Sequence, residues 1–317
     1  MKIIVLDGYT LNPGDLDWKG LEALGDLTVY DRTPAELTAE RCKGAEIVIT
    51  NKTVIDKETM EALPELKYIG VLATGYNVVD VAEAARRGIT VTNIPSYSTM
   101  SVAQMAISLL LAIVERVEHY TEENRRGRWS SSPDFCYTDF PLMELAGKQF
   151  GVIGFGHTGQ ATAAVARALG MEIAVFTSKD RSALPEGYRK ADLDTLLRES
   201  DVVSLHCPLA PDTFHLIDDK AIAKMKPTAI LINTGRGPLV DEEALARALR
   251  ERRIYAAGMD VLSSEPPAAD CPLLSAPFCF ITPHIAWATF EARQRLMRIA
   301  VANVEAFMKG KPQNVVS

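Results

Sequence analysis

The stretch "GVIGFGHTGQ", residues 151–160, decides the fold. A short apolar run ends at Gly154, and Gly156 and Gly159 complete the spacing G-x-G-x-x-G around Phe155. Such a turn also serves packing alone, so its surroundings decide its meaning. Here the first glycine closes a buried-type strand, and a helix-forming segment, "TGQATAAVARALG", opens at the third. A second strand, "EIAVFT" (172–177), ends about 20 residues further on. That is the first βαβ unit of a dinucleotide-binding fold. Small residues let the backbone approach a pyrophosphate, while the N–H groups and positive dipole end of the helix stabilise its charge. His157, inside the loop, reads either as a pyrophosphate contact or as a loop tip.

The residue ending the second strand bears on the choice of dinucleotide. An NAD site normally places Asp or Glu there to accept from the ribose hydroxyls. This chain has Thr177, followed by Ser178 and Lys179, two hydroxyls and a cation that suit a 2′-phosphate. The reading leans to NADP and leaves NAD open, with Lys179 then pointing only into water.

Strand and helix patterns alternate on both sides of this unit. "KIIVLD" (2–7), "LTVY" (27–30), "EIVIT" (46–50), "KYIGVL" (67–72) and "ITVTN" (89–93) precede an uninterrupted helix from about Met100 to Val117, with Ser98 or Thr99 as its N-cap. A second series follows "KQFGVIG" (148–154): "EIAVFT", "DVVSLH" (201–206), "TAILINT" (228–234), "IYAAGMDV" (254–261) and "CFITP" (279–283). A closing helix, Thr289 to Lys309, has an apolar face that suits the first sheet. The expectation is an α/β chain of two Rossmann-like parallel-sheet domains with a cleft between them, suited to 317 residues. The stretch 122–145 has Gly, Pro, Ser and aromatics but no period, and is expected to be an arm buried against a second subunit.

Composition narrows the classes further. No run approaches the roughly 18 apolar residues a membrane span needs, so no membrane partner is expected. A net charge of −7 argues against nucleic acid, and any anionic substrate must then meet a local cation. Five cysteines, an odd number without a C-x-x-C pair, suit reduced thiols in the cytoplasm and support neither a disulfide framework nor a structural zinc site.

Three polar residues stand at or just after strand ends of the second series, where ligands of open α/β sheets bind: Arg236, Glu265 and His284. Singly each reads as an ordinary surface or loop residue. Together they supply what interconverting a 2-hydroxy acid and a 2-oxo acid needs. A bidentate cation clamps the carboxylate and polarises the carbonyl, and a histidine exchanges the hydroxyl proton. A carboxylate paired with that histidine orients the ring and favours its charged form. The other histidines read as structural: His119 and His215 at the surface or in packing, His206 buried and hydrogen-bonded.

The runs "GVIGFGHTGQ", "HCPL", "LINTGRGPLVDEEAL", "AAGMDVLSSEPP" and "TPHIAW", with "LATGYNVVD" and "NIPSYSTMSVAQ" upstream, resemble in order the signatures of the D-isomer-specific 2-hydroxyacid dehydrogenase family. The resemblance covers nearly the whole chain. It implies a discontinuous substrate domain, 1–97 and 288–317, a dinucleotide-binding domain, 98–287, and a homodimer. It also implies Arg236 as clamp, Glu265 as the partner of the histidine and His284 as proton donor and acceptor. Lys52 and the backbone of Ala73, Thr74 and Gly75 would hold the substrate, and Trp287 would bound its pocket. Thr99, His157, Thr158, Cys207, Pro208, Thr213, Thr234, Gly235 and Asp260 would line the NAD or NADP site. Thr177 departs from the family's usual acid, and Gln104 stands where a glutamate is frequent. A dinucleotide-sensing regulator on the same fold and an enzyme for a phosphorylated hydroxy acid are the rivals. Formate oxidation suits the trio less well, because it releases no hydroxyl proton.

Overall fold

A computed structural model describes all 317 residues. Their contacts divide the chain into two compact units, Met1–Ser98 with Ala288–Ser317, and Thr99–Trp287.

The first unit runs β1 (Lys2–Val5), α1 (Lys19–Glu22), β2 (Asp26–Val29), α2 (Thr38–Arg41), β3 (Ile47–Thr50), α3 (Lys57–Glu61), β4 (Tyr68–Val71), α4 (Val81–Arg86) and β5 (Thr90–Thr92). The strands are parallel in the order β2-β1-β3-β4-β5. All four residues of β3 and of β4 are buried, which is why these strands read as unbroken apolar runs. The helix α11 (Phe290–Met308) returns to this unit and packs on β4, with the Phe307 ring 4.8 Å from that of Tyr68. Thr289 caps it by accepting from the Ala292 N–H. Arg293 grips Asp15 with two bonds of 2.6 Å, and the Val316 N–H donates to the Val91 carbonyl.

The second unit runs α5 (Thr99–Glu115), α6 (Val117–Arg125), β6 (Gln149–Ile153), α7 (His157–Ala168), β7 (Glu172–Phe176), β8 (Arg189–Lys190), α8 (Leu193–Glu199), β9 (Val202–Leu205), α9 (Asp219–Ile222), β10 (Ile230–Asn233), α10 (Glu242–Arg250), β11 (Ala256–Met259) and β12 (Cys279–Ile281). Its sheet is parallel throughout, in the order β12-β11-β10-β9-β6-β7-β8. The strand order reverses direction between β6 and β9, the switch point where an α/β sheet opens a crevice for a ligand.

The long helix stops two residues short of the expected Val117. Arg116 adopts a left-handed conformation, φ +52°, and α6 starts afresh after it. The guanidinium of this left-handed residue lies over the rings of Phe140 and Phe280 at 4.7 Å and of Phe278 at 5.1 Å. No single helix is long and apolar enough to cross a membrane.

Candidate active site

The glycine loop sits at the end of β6, and each glycine has its own reason. Gly154 has φ +91°, and a Cβ there would lie 2.5 Å from the Cys207 nitrogen, so this turn is pressed against the loop after β9. A Cβ on Gly159 would lie 2.2 Å from the Gly154 carbonyl oxygen, so α7 packs directly on the turn. Gly156 is the exception, because a Cβ there meets nothing within 4 Å. Its bare face leaves room for a ligand's phosphates. Gly156 also occupies the N-cap of α7 without a side-chain cap, so the first helical turn is left to an anion.

Other expected residues divide into those turned to this crevice and those spent elsewhere. The Thr234 hydroxyl, at the end of β10, is buried and has no partner in the fold, as a ligand-facing group would be. The Cys207 residue is half-buried and its thiol is pushed up by desolvation, so it lines the loop as a neutral group. Thr213 differs: its hydroxyl accepts from the Ala210 N–H at 2.7 Å and lies 2.8 Å from the Pro208 carbonyl, and so closes its own turn. After β7, the Thr177 hydroxyl accepts from the Lys179 N–H at 3.2 Å. The Lys179 ammonium reaches back to 5.9 Å from the Phe155 ring, towards the glycine loop, while Lys190 donates to the Lys179 carbonyl. The orphaned Thr234 hydroxyl, the uncapped helix and the open Gly156 face together fit a dinucleotide.

His206, one residue before Cys207, is bonded to the Ser204 hydroxyl at 2.8 Å, and desolvation pushes its ring down to about 4. It is a neutral support of the loop. His119 pairs with Asp139 at 2.7 Å, and His215 stacks on Phe214 at 4.0 Å while its backbone N–H donates to the Pro238 carbonyl.

The trio is built by three turns of the second unit. The side chain of Asn233, wholly buried at the end of β10, donates to the Arg236 carbonyl at 2.9 Å and accepts from the Gly235 N–H at 3.0 Å. This staple presents Arg236 at the surface, where its guanidinium has one partner, the Gly235 carbonyl, and no ion pair. His284 and Glu265, 19 residues apart, meet through Nδ1 and Oε2 at 2.6 Å, and Glu265 Oε1 accepts from the Leu262 N–H at 3.1 Å. With Nδ1 donating to the carboxylate, Nε2 is the nitrogen left for proton exchange.

Asp260 was expected along the cofactor, and its two oxygens build the histidine's turn. They accept from the Thr282 hydroxyl at 2.6 Å, the Ile285 N–H at 3.0 Å and the Ala286 N–H at 2.9 Å. The His284 N–H returns to the Asp260 carbonyl at 2.8 Å, which holds the histidine at φ +53°. Burial pushes the Asp260 carboxyl up despite these donors. Trp287, half-buried, closes this turn.

In the first unit, β1 and β3 flank the corresponding switch point. Asp7, just beyond β1, was not singled out in the sequence, yet it accepts from the N–H groups of Asn51, Lys52 and Thr53 at 2.6–2.9 Å and so shapes the loop bearing Lys52. An acid ending a buried strand at a switch point was the available signal. Beyond β4, Ala73 and Thr74 give their carbonyls to Ile94 and Asn93, and the Thr74 hydroxyl donates to the Ile94 carbonyl. The N–H groups of Thr74 and Gly75 are not spent within the fold, which suits a carboxylate.

A dinucleotide crevice beside an arginine and a His–Glu pair defines a nicotinamide-dependent oxidoreductase of hydroxy acids. The profile of the D-isomer specific 2-hydroxyacid dehydrogenase NAD binding domain matches residues 107–286. The chain is 53% identical to a hydroxypyruvate reductase of Blautia hydrogenotrophica over the whole of both chains. It is 46% identical to a glycerate dehydrogenase of Methylorubrum extorquens, covering 90% of this chain and 89% of that one. Its fold matches an acyclic imino acid reductase in complex with NADPH and D-Arg, at TM-score 0.86 and 33% identity over both whole chains. The chain belongs to the D-isomer-specific 2-hydroxyacid dehydrogenase family. It is an NAD(P)-dependent dehydrogenase of D-2-hydroxy acids.

Proposed function

We propose that this enzyme interconverts hydroxypyruvate and D-glycerate and also reduces glyoxylate. The observation that carries the reading is the similarity over the whole chain to a relative named hydroxypyruvate reductase. The runs "SPDFCYTDFPL" and "HIAWAT" support the same substrate group by their likeness to glycerate dehydrogenases.

In this reading a bound reduced nicotinamide dinucleotide supplies the hydride. Arg236, with no internal ion pair, clamps the substrate carboxylate with its planar fork and polarises the 2-oxo oxygen. His284 Nε2 delivers the proton to that oxygen, and Glu265 holds the ring through Nδ1 and stabilises its charged form. The sum is one hydride and one proton added across the carbonyl, leaving a 2-hydroxy acid and a neutral imidazole. Lys52 and the N–H groups of Thr74 and Gly75 take the role of carboxylate donors, and Trp287 limits the length of the substrate.

NADP is the preferred dinucleotide in this reading, supported by Thr177, Ser178 and Lys179 after β7 and by Lys190 beside them. The homodimer is supported by apolar side chains that a monomer leaves in water: Val117, Trp129, Phe135 and Leu142, with Phe135 89% exposed. Five unpaired cysteines suit the cytoplasm.

The deciding experiment is a kinetic panel of glyoxylate, hydroxypyruvate, pyruvate and longer 2-oxo acids with NADH and with NADPH. Hydroxypyruvate and glyoxylate should have the highest kcat/KM. A lead for pyruvate or a longer acid overturns the substrate assignment.

A further inference from the structure

Glu265 stands on an unsupported run. Every residue from Ser263 to Asp270 is exposed, so the run itself is little held by packing. What holds it must act at the ends of the run. Both ends lead to one side chain, Glu242, the first residue of α10. Its Oε1 accepts from the Ser263 N–H at 2.6 Å, and its Oε2 lies 3.8 Å from the Cys271 Sγ, which donates to it. Glu242 is half-buried and makes no salt bridge, and these are the two hydrogen bonds of its side chain.

A second observation ties the same segments together. A Cβ on Gly237 would lie 2.0 Å from the Leu262 carbonyl carbon and 2.4 Å from the Ser263 nitrogen. The peptide before Ser263 is therefore seated directly on the residue after Arg236. Its neighbour, the Leu262 N–H, is the donor to Glu265 Oε1. Residues 236–242 thus carry the arginine at one end and the seat of the Glu265 run along the rest.

We infer that Glu242 is a positioning residue for the acid–base pair, clipping both ends of the Ser263–Cys271 run so that Glu265 meets His284 in register. The inference rests on the assignment of His284 and Glu265 as that pair. The titratable and charged groups around the assembly are Arg236 beside Gly237, Asp260 behind the histidine, Arg250 of α10, which donates to the Pro272 carbonyl, and Cys271 and Cys279 beside Glu242. Burial pushes the Cys279 thiol up to about 12, so it adds no charge.

Two variants separate the clip from a through-space charge effect. Glu242→Ala removes both bonds. Glu242→Asp keeps the charge but is one methylene too short to reach Ser263 and Cys271 together. The measurements are the pH dependence of kcat/KM for hydroxypyruvate reduction, the dissociation constant of NADPH by fluorescence titration, and Tm, with Glu265→Gln as reference. Both Glu242 variants should lower kcat/KM at neutral pH by about tenfold. Both should also move its upper limb to lower pH, as Glu265→Gln does, by about half a unit, with NADPH affinity within about twofold of wild type. A folded Glu242→Asp enzyme with an unmoved limb overturns the inference, even if its Tm falls, and this stands if Glu242→Ala does not fold. If Glu265→Gln moves the limb and Glu242→Asp does not, only the positioning role falls. If Glu265→Gln itself leaves it in place, the acid–base assignment fails and the inference with it.

Discussion

His284 and Glu265 meet at 2.6 Å through Nδ1 and Oε2, and both are fixed by the residues that follow β11. The histidine hangs on Asp260 at the end of β11, and the glutamate on the Leu262 N–H. Reduction consumes the protonated ring and oxidation the neutral one, so their pH profiles should be mirror images. Glu265→Gln keeps a hydrogen bond and removes the charge that favours imidazolium. The upper limb of the reduction profile should then move to lower pH, with dinucleotide affinity unchanged. An unmoved or raised limb, in an enzyme whose deuteride isotope effect shows chemistry to be limiting, removes Glu265 from the pair.

Arg236 meets the solvent with no ion pair, its guanidinium bonded only to the Gly235 carbonyl. Arg236→Lys keeps the charge and loses the bidentate geometry. It should lower kcat/KM for a 2-oxo acid by at least about tenfold, roughly 1.4 kcal/mol, with little change in dinucleotide affinity. Wild-type kinetics would exclude the arginine as the clamp.

Thr177→Asp puts a carboxylate at the end of β7. If the turn 177–179 holds a 2′-phosphate, the NADPH to NADH ratio of kcat/KM should fall by about tenfold or more. A constant ratio shows that the turn does not read the ribose.

The glycines of the cofactor loop should respond differently to the same methyl group. Gly156→Ala should fold with a Tm near wild type, because a Cβ there meets nothing, and yet bind dinucleotide weakly. Gly154→Ala should lose stability outright, since its Cβ would overlap the backbone of His206 and Cys207 at a positive φ. Thermal melts with and without dinucleotide read both effects.

His206 links the loop to acid stability. Its pKa falls from 6.5 in the unfolded chain to about 4 in the fold, so the unfolded state binds the extra proton between those values. The stabilising preference for the neutral ring is present above pH 6.5 and is lost as pH falls towards 4. By linkage this amounts to about 2 kcal/mol between pH 7 and 5. His206→Gln should remove most of that loss, seen as a smaller difference between urea midpoints at the two pH values. Parallel pH dependences in the two proteins would refute it.

Legibility in the sequence followed burial. Strands such as β3, β9 and β10, buried along their whole length, announce themselves as apolar runs, and Arg236 follows the end of β10. The two-residue strand β8, Arg189 and Lys190, is exposed and polar and carries no such signal. The break at Arg116 was hidden because a non-glycine residue takes the left-handed turn, and its three aromatic partners lie 24 to 164 residues away in sequence. Asp7, Asp260 and Glu242 were legible as acids but not as fasteners. Each acts on N–H or S–H groups of another segment, and only the folded chain brings those together.

The return of α11 to the first unit sets an order of assembly on the ribosome. The second unit is continuous and has its last strand by Ile281. The first unit has all five strands by Thr92, but Leu296, Ala300 and Val304, buried on α11, are made some 200 residues later. Until then β4 lacks the helix that packs on it, and Asp15 lacks Arg293. The first part of the chain to be synthesised is therefore the last to be finished. Through most of translation its apolar sheet is the surface that a chaperone or a neighbouring nascent chain meets.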